Sequence, residues 1–323
     1  MKTGWMIVLC ILALVSGVSR TFAAETGALM EVRKAAFLNA SSCQNVMRSD
    51  DERLYLGFGS YLPRESTEGH LEVIALREGA DSKVSLKTLD GVVDVKAVGD
   101  RLFVLTYSGI EEWSLKTYDR VALYPTYMKS GSFGYKEHAT GFYFHGNRFY
   151  ISHGRLGYSV FDIQKNRLID QRRLIPEQLP LESMAVDISG AGDKAIIAMD
   201  NFTLVKQGAP AFRGFVVLDL NTGGVIKKVS GLDPGVESIQ VVGDSVIVGF
   251  NPPVWKFNLK EILEGFGEVS PVQRVWRFPG GSHGVKKAYF DEKYMYACFL
   301  QSTPSGWYRK KPTVFSRGEL TLD

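Results

Sequence analysis

Val98-Gly-Asp-Arg-Leu-Phe-Val-Leu-Thr106 joins a tight polar turn to an apolar strand. The same arrangement recurs where Val242-Gly-Asp244 runs into Ser245-Val-Ile-Val-Gly-Phe250. Six such turns lie along the chain at intervals of 46 to 51 residues, and the strands after them begin at Arg53, Arg101, Arg148, Lys194, Ser245 and Lys293. Repeats of this length that are built from short strands are typical of β-propeller blades.

Each repeat divides into four short strands separated by polar turns, as a propeller blade requires. The second repeat is the clearest, with predicted strands at Val92–Val98, Arg101–Thr106, Ile110–Leu115 and Arg120–Tyr124. We therefore expect an all-β fold in which residues 24–323 form a single six-bladed β-propeller with four-stranded blades.

The ends of the ring have to meet without leaving a sheet edge exposed. In the fifth repeat, Pro271–Phe278 is the predicted outer strand. In the sixth, the outer strand comes from the apolar segment Leu29–Phe37, which has no blade of its own, beside or instead of Glu319–Leu322. A seventh, degenerate blade is the alternative.

Three segments share one further pattern, an apolar strand that ends in a polar turn: Trp113-Ser-Leu-Lys-Thr117, Phe161-Asp-Ile-Gln-Lys-Asn166 and Val217-Leu-Asp-Leu-Asn-Thr-Gly223. They resemble the third-strand turn of bacterial surface propellers of the YVTN and LVIVD repeat families, although the signature words of those families are absent. The resemblance covers most of the chain after residue 23. It implies an exported bacterial β-propeller and no particular activity.

The N-terminus has the pattern of a secretory signal. Lys2 precedes an apolar stretch from Trp5 to Val18, and small residues follow up to Ala23. We expect cleavage after Ala23 and a periplasmic or secreted protein. An uncleaved membrane anchor is the alternative. After the signal, no segment approaches the roughly 20 apolar residues that a transmembrane helix needs.

Charge and motifs exclude several classes of function. The formal net charge of the chain is +3, and it falls to +1 without residues 1–23 because Lys2 and Arg20 are removed. A nucleic-acid partner is therefore not predicted. Phosphate-binding loops, CxxC pairs and EF-hand loops are absent from the sequence, and no cofactor is predicted.

Two cysteines remain after signal removal, Cys43 and Cys298. The ring places their repeats side by side, so that a disulfide between them would link the two ends of the propeller. In the chain-entropy account, such a long loop contributes up to roughly 5 kcal/mol. Two free buried thiols are the alternative.

Long connections between second and third strands point to a binding surface. They occur at 60–69, 201–213 and 301–311, whereas the other repeats use only a few residues there. Such loops open on one face of a propeller, and loops on a rigid scaffold commonly carry recognition. The predicted binding residues are Tyr61, Arg64, Phe212, Arg213, Trp307, Tyr308 and Arg309.

Histidines provide the alternative, catalytic interpretation. His138, His153 and His283 fall on the same predicted face, where one of them could act as a general base. No metal site is predicted, because the repeats that hold them lie across the ring from each other. Acidic residues near inner-strand starts, Asp94, Glu182 and Glu237, do not share one repeat position.

These observations favour an exported binding module that recognises a protein or cell-envelope partner through its loop-bearing face. They lean away from an enzyme because the sequence has no compact set of acid, base and nucleophile. A periplasmic hydrolase or lyase at the channel mouth is one alternative. A structural envelope protein without a ligand is the other.

Overall fold

The computed structural model describes residues 46–50, 52–59, 68–76, 83–126, 139–154, 157–172, 183–201, 212–232, 236, 238–249, 254–264, 276–277, 284–290, 294–302, 308–316 and 321–322. These residues are almost entirely β-strands and tight turns. The helix α1 (Leu259–Glu264) has six residues. Across the described residues, no helix has the length and apolar character needed to cross a membrane.

Five antiparallel sheets follow one another along the chain up to residue 258. The first four have four strands each, paired in chain order. Their strands are β1 (Val46–Ser49), β2 (Arg53–Phe58), β3 (Gly69–Ala75), β4 (Lys83–Thr88), β5 (Val92–Val98), β6 (Arg101–Thr106), β7 (Ile110–Ser114), β8 (Arg120–Tyr124), β9 (Gly141–His145), β10 (Arg148–Ser152), β11 (Tyr158–Asp162), β12 (Arg167–Arg172), β13 (Ser183–Ala191), β14 (Lys194–Asn201), β15 (Gly214–Asp219) and β16 (Val225–Ser230). The fifth sheet consists of β17 (Ser238–Val242), β18 (Ser245–Gly249) and β19 (Val254–Asn258), and α1 follows it.

The C-terminal strands form two further sheets. One is a two-stranded pair of β20 (Trp276–Arg277) and β24 (Thr321–Leu322). The other contains β21 (Gly284–Phe290), β22 (Tyr294–Ser302) and β23 (Tyr308–Ser316). We name this three-stranded sheet the closing sheet, because β21 contacts β17 on one side and β1 on the other.

The first strands of the sheets form the inner ring. β5 contacts both β1 and β9, and β13 contacts both β9 and β17, so that neighbours in the sequence are neighbours in space. With the closing sheet between the fifth sheet and the first, the contacts return to their starting point. This arrangement is a β-propeller.

The prediction of six four-stranded blades is wrong, and so is the seven-bladed alternative. Five consecutive sheets have the blade arrangement, and the remaining C-terminal strands form the closing sheet and the two-stranded pair instead. The segments predicted as outer strands of the last two repeats pair with each other, through Trp276 with Leu322 and Arg277 with Thr321. Neither is added to its own repeat. Leu29–Phe37, predicted to complete the ring, lies outside the described residues.

Glycines shape the turns that end the inner strands. Gly99, Gly146, Gly192 and Gly243 each occupy the first position of a two-residue turn with φ between 53° and 60°. A two-residue hairpin needs a positive φ at this position, which glycine adopts without steric cost. The Gly-Asp and Gly-Asn signals in the sequence therefore predicted these hairpins correctly.

The apolar core lies between neighbouring sheets. Leu102 and Val104 of the second sheet pack with Tyr55 and Val73 of the first. On the other side of the second sheet, Phe103 belongs to an aromatic group that continues into the third sheet, made of Phe103, Phe142, Phe144, Phe149 and Phe161. Among the first five sheets, neighbours are thus held together by side chains that alternate along the second strands.

Gly141 in β9 is a point of close approach between the third and fourth sheets. A Cβ atom placed there would lie 2.5 Å from Oδ1 of Asp187 in β13. We expect Gly141→Ala to destabilise the protein by about 1–3 kcal/mol, because the carboxylate has to move from its hydrogen bonds. Gly224→Ala is the matched control, since its Cβ meets only Thr222 Oγ1 at 3.4 Å. Thermal unfolding measures both; equal midpoints would contradict the close approach.

Candidate functional site

Two aspartates connect neighbouring sheets near the axis of the ring. In each, Oδ1 accepts the backbone N–H of the residue that follows, at 2.9 Å. Oδ2 of Asp94 accepts the N–H of Phe142 in β9 at 3.3 Å, and Oδ2 of Asp187 accepts the N–H of Ile239 in β17 at 3.0 Å. Each buried carboxylate therefore joins its own inner strand to that of the next sheet.

Asp94 and Asp187 occupy the same position in their repeats. Each follows a β-bulge in its inner strand and lies six residues before the aspartate of its Gly-Asp turn. The sequence pattern singled out Asp94, Glu182 and Glu237 near inner-strand starts, but not Asp187. The sequence signal that identifies Asp94 and Asp187 together is their common distance of six residues before the aspartate of a Gly-Asp turn.

Arg48 of β1 forms an ion pair with Asp94 that sequence analysis also missed. Its Nη2 lies 2.6 Å from Asp94 Oδ1, with the two side chains 21% and 6% exposed. Nη1 donates to the carbonyl oxygen of Met47 at 3.0 Å, and the guanidinium lies 5.1 Å from the ring centroid of Tyr289 in β21. Burial alone would lower the pKa of Arg48, but attraction to Asp94 and Asp187 raises it above the ordinary value.

Lys96 lies two residues after Asp94 on the same strand. Its Nζ is 4.8 Å from the ring centroid of Tyr143 in β9, a cation–π contact. Burial lowers the pKa of Lys96, and repulsion from Arg48 lowers it further, against the partial attraction of Asp94 and Asp187. Lys96 therefore has an aromatic face as its neighbour, and no carboxylate of the described residues forms an ion pair with it.

We name Arg48, Asp94, Lys96 and Asp187 the axial cluster. Its four formal charges cancel, and they come from the first, second and fourth sheets. Arg48 is attracted both to Asp94 in the neighbouring sheet and to Asp187 in the fourth sheet, and both carboxylates raise its pKa. Both carboxylates accept backbone N–H groups, which suits them to holding sheets together.

Of the three histidines in the catalytic alternative, the structure describes His153. It is 1% exposed, and its Nε2 lies 2.7 Å from the hydroxyl of Ser159. His138 and His283 lie outside the described residues. Within the part of the chain that the structure describes, no three His, Cys, Asp or Glu side chains are grouped closely enough to hold a metal ion.

Two predicted binding residues, Phe212 and Arg213, lie at the end of the connection between β14 and β15. The Phe212 side chain is 8% exposed and packs in the core between the third and fourth sheets, with Met199 and Val216. It is therefore a core residue rather than part of the surface. Arg213 is 39% exposed, and its Nε lies 3.9 Å from Oδ1 of Asp200.

The connections from second to third strands open on one side of the ring, which we name the loop face. They span 59–68 in the first sheet and 202–213 in the fourth, but 107–109 in the second, 153–157 in the third and 250–253 in the fifth. Two of the three predicted long connections therefore agree with the strand bounds.

The third predicted insertion, 301–311, is mostly strand. β22 continues to Ser302 and β23 begins at Tyr308, with Ser302 opposite Tyr308 and Gln301 opposite Arg309. The connection is shortened to 303–307. Tyr308 and Arg309 thus occupy the first positions of β23, while Tyr61, Arg64 and Trp307 lie outside the described residues.

Cys298 occupies a central position of β22, opposite Lys287 on one side and Pro312 on the other. Its proposed disulfide partner, Cys43, lies outside the described residues. The bridge remains a prediction.

Known proteins share the fold of this chain. No protein-family model and no curated protein matches the sequence. Among solved structures, the β-propeller domain of Cps50 (Swd1) from Myceliophteria thermophila is 12% identical with a TM-score of 0.61, covering 88% of this chain and 86% of that one. Hydrazine synthase from Kuenenia stuttgartiensis is 12% identical with a TM-score of 0.50, covering 76% and 68%. These similarities show a β-propeller and no function.

Removing Arg48 from the axial cluster is expected to destabilise the ring. Arg48→Met leaves the buried Asp94 without its ion pair, and we expect a loss of roughly 3 kcal/mol. Lys87→Met is the control, because it breaks an ion pair with Glu68 in which both side chains are 71% exposed. Exposed pairs of this kind contribute little. Chemical denaturation distinguishes the two variants, and equal stabilities would argue against the cluster.

Lys96→Met is expected to have the opposite effect at neutral pH. The pKa of Lys96 lies below the ordinary 10.5, so the folded protein binds this proton less tightly than the unfolded chain. The charge therefore costs stability below the folded pKa, and the cost disappears as the pH rises to 10.5. The variant should unfold at a higher temperature than the wild type at neutral pH, with a smaller difference near pH ~10.

Lys116→Met is the control for this measurement, because Lys116 is 72% exposed beside Asp100. A difference between Lys96→Met and the wild type that stays the same at both pH values would contradict the assignment of the cost to the Lys96 charge.

Proposed function

We propose that this protein is an exported β-propeller that binds another macromolecule, a protein or a cell-envelope component, through its loop face. The observation that supports this proposal is that the connections on the loop face differ in length. Two of them have ten or more residues, at 59–68 and 202–213, whereas the second sheet uses 107–109. Long connections beside short ones on one face of a rigid ring are typical of a recognition surface.

The rigidity that such a surface needs has a physical basis in the described residues. Asp94 and Asp187 tie inner strands together, and Gln240 Oε1 accepts the N–H of Phe290 in β21 at 2.7 Å. Buried side chains thus connect sheets across several boundaries of the ring. A partner that binds the connections does not have to order the scaffold, which lowers the entropic cost of binding.

Export is part of the proposal and rests on residues 1–23, with their basic start, apolar stretch and small residues before the cleavage point. The periplasmic or secreted location is proposed on the same grounds, and the bacterial propeller type is proposed on the turns at 113–117, 161–166 and 217–223.

The hydrolase or lyase alternative gains no support from His153. A general base has to reach a substrate, and this imidazole is buried with Ser159 as its partner. We therefore favour binding as the function.

Photo-crosslinking tests the proposal in the cells that export the protein. A photoreactive amino acid in place of Tyr61 or Trp307 is expected to give a discrete crosslinked product, because both positions belong to connections of the loop face. Thr117 is the control position, since it is exposed in the β7–β8 turn on the opposite side of the ring. Products from Thr117 of equal yield, or none from either loop position, would contradict the proposal.

Alanine at both Trp307 and Arg309 should then weaken the crosslink from Tyr61 without changing the melting temperature. An unchanged crosslink would exclude these two residues from the site and leave the rest of the loop face to be mapped.

A further inference from the structure

The closing sheet has a charge unlike that of the rest of the chain. Its three strands contain five cationic residues and neither Asp nor Glu: Lys286, Lys287, Arg309, Lys310 and Lys311. The formal net charge of the whole chain is only +3. All other residues together therefore have a formal charge of −2.

Strand pairing brings these cations to one end of the sheet. Gly284, Leu300 and Lys310 lie side by side in β21, β22 and β23, and Val285, Phe299 and Lys311 form the adjoining row. Lys286 and Lys287 come directly after Val285, where β21 has a register shift. We name this region, residues 284–287 and 308–311, the basic end of the closing sheet. It lies on the loop face, because β21 begins there and the 303–307 connection adjoins it.

β23 also offers its backbone to a partner. Among the described residues, β22 is the only strand paired with it, because β24 pairs with β20. β23 has nine residues, and its pairing with β22 extends beyond the start of β21 through Gln301–Arg309 and Ser302–Tyr308. An extended peptide can add to such an edge through main-chain hydrogen bonds, with its side chains providing specificity.

We infer that the basic end of the closing sheet docks an acidic, extended segment of a partner protein, which adds as a strand along β23. The inference rests on the proposed function and gives the chemistry of the partner. Carboxylates on the segment complement the cations at 309–311 and 286–287, and the attraction accelerates encounter with the correct partner. Among the described strands none pairs with the second edge of β23, and a segment that adds there has to be extended rather than helical.

Lysines and proline on an edge strand have a second use, since they prevent edge-to-edge aggregation. Lys310, Lys311 and Pro312 fit that use as well. In that case the edge repels strands of every sequence, and an acidic peptide binds no better than a neutral one. The two uses therefore differ in a measurable way.

Fluorescence anisotropy tests the inference with the purified exported protein. The probe is a labelled peptide of about eight residues, a typical strand length, in which glutamate alternates with valine. The control peptides replace glutamate with glutamine, or carry N-methyl groups on alternate residues so that the backbone cannot pair. We expect saturable binding of the glutamate peptide that weakens as salt is raised, with both control peptides at least tenfold weaker.

The variant Lys310→Gln/Lys311→Gln is expected to weaken binding of the glutamate peptide about tenfold. Lys227→Gln/Lys228→Gln is the matched control, because these lysines are also adjacent on an outer strand, β16. Its affinity should equal that of the wild type. Equal losses in both variants, or equal binding of the glutamine peptide, would overturn the inference.

An acidic polysaccharide such as polygalacturonate, added as competitor, completes the design. If it binds more tightly than the peptide and needs the same lysines, the inference of a protein strand is wrong. If no probe binds but photo-crosslinks still form from the loop face, the inference of an acidic strand partner is wrong, whereas the proposed binding function is still supported.

Discussion

A carboxylate that accepts one N–H from its own inner strand and one from the next sheet is the interaction on which this ring depends. Asp94 and Asp187 make it at the same repeat position, two sheets apart. The sheets of a propeller pack against each other mainly through apolar contacts. Such contacts have no preferred direction and do not by themselves set the register between sheets. A buried carboxylate that accepts from both sides does set it, because a slip of one residue takes away the donor that the next sheet gives to Oδ2.

The axial cluster follows from this requirement. Two cations accompany the two carboxylates, and Arg48 and Lys96 bring the formal charge to zero. The two cations make different contacts: Arg48 forms an ion pair with Asp94, whereas Lys96 makes a cation–π contact with the Tyr143 ring. The axial cluster is therefore electrically neutral, although its two cations have different neighbours.

The closing sheet presents the opposite electrostatic character. Five cations without acidic neighbours on its three strands contrast with the balanced centre, and they lie where the ring meets its own beginning. The formal charges of the axial cluster thus sum to zero, whereas those of the three strands of the closing sheet sum to +5.

The sequence by itself determined the local elements. β5, β6 and β8 have the predicted bounds, because a Gly-Asp turn and alternating apolar residues act over a few positions. Only the tertiary structure decided that Trp276 and Arg277 pair with Leu322 and Thr321, that β22 and β23 extend into 301–311, and that Phe212 is buried. It also revealed the ion pair of Arg48 with Asp94 and the hydrogen bond from Ile239 to Asp187. These outcomes depend on pairing and packing between residues far apart in the chain, which local propensity does not encode.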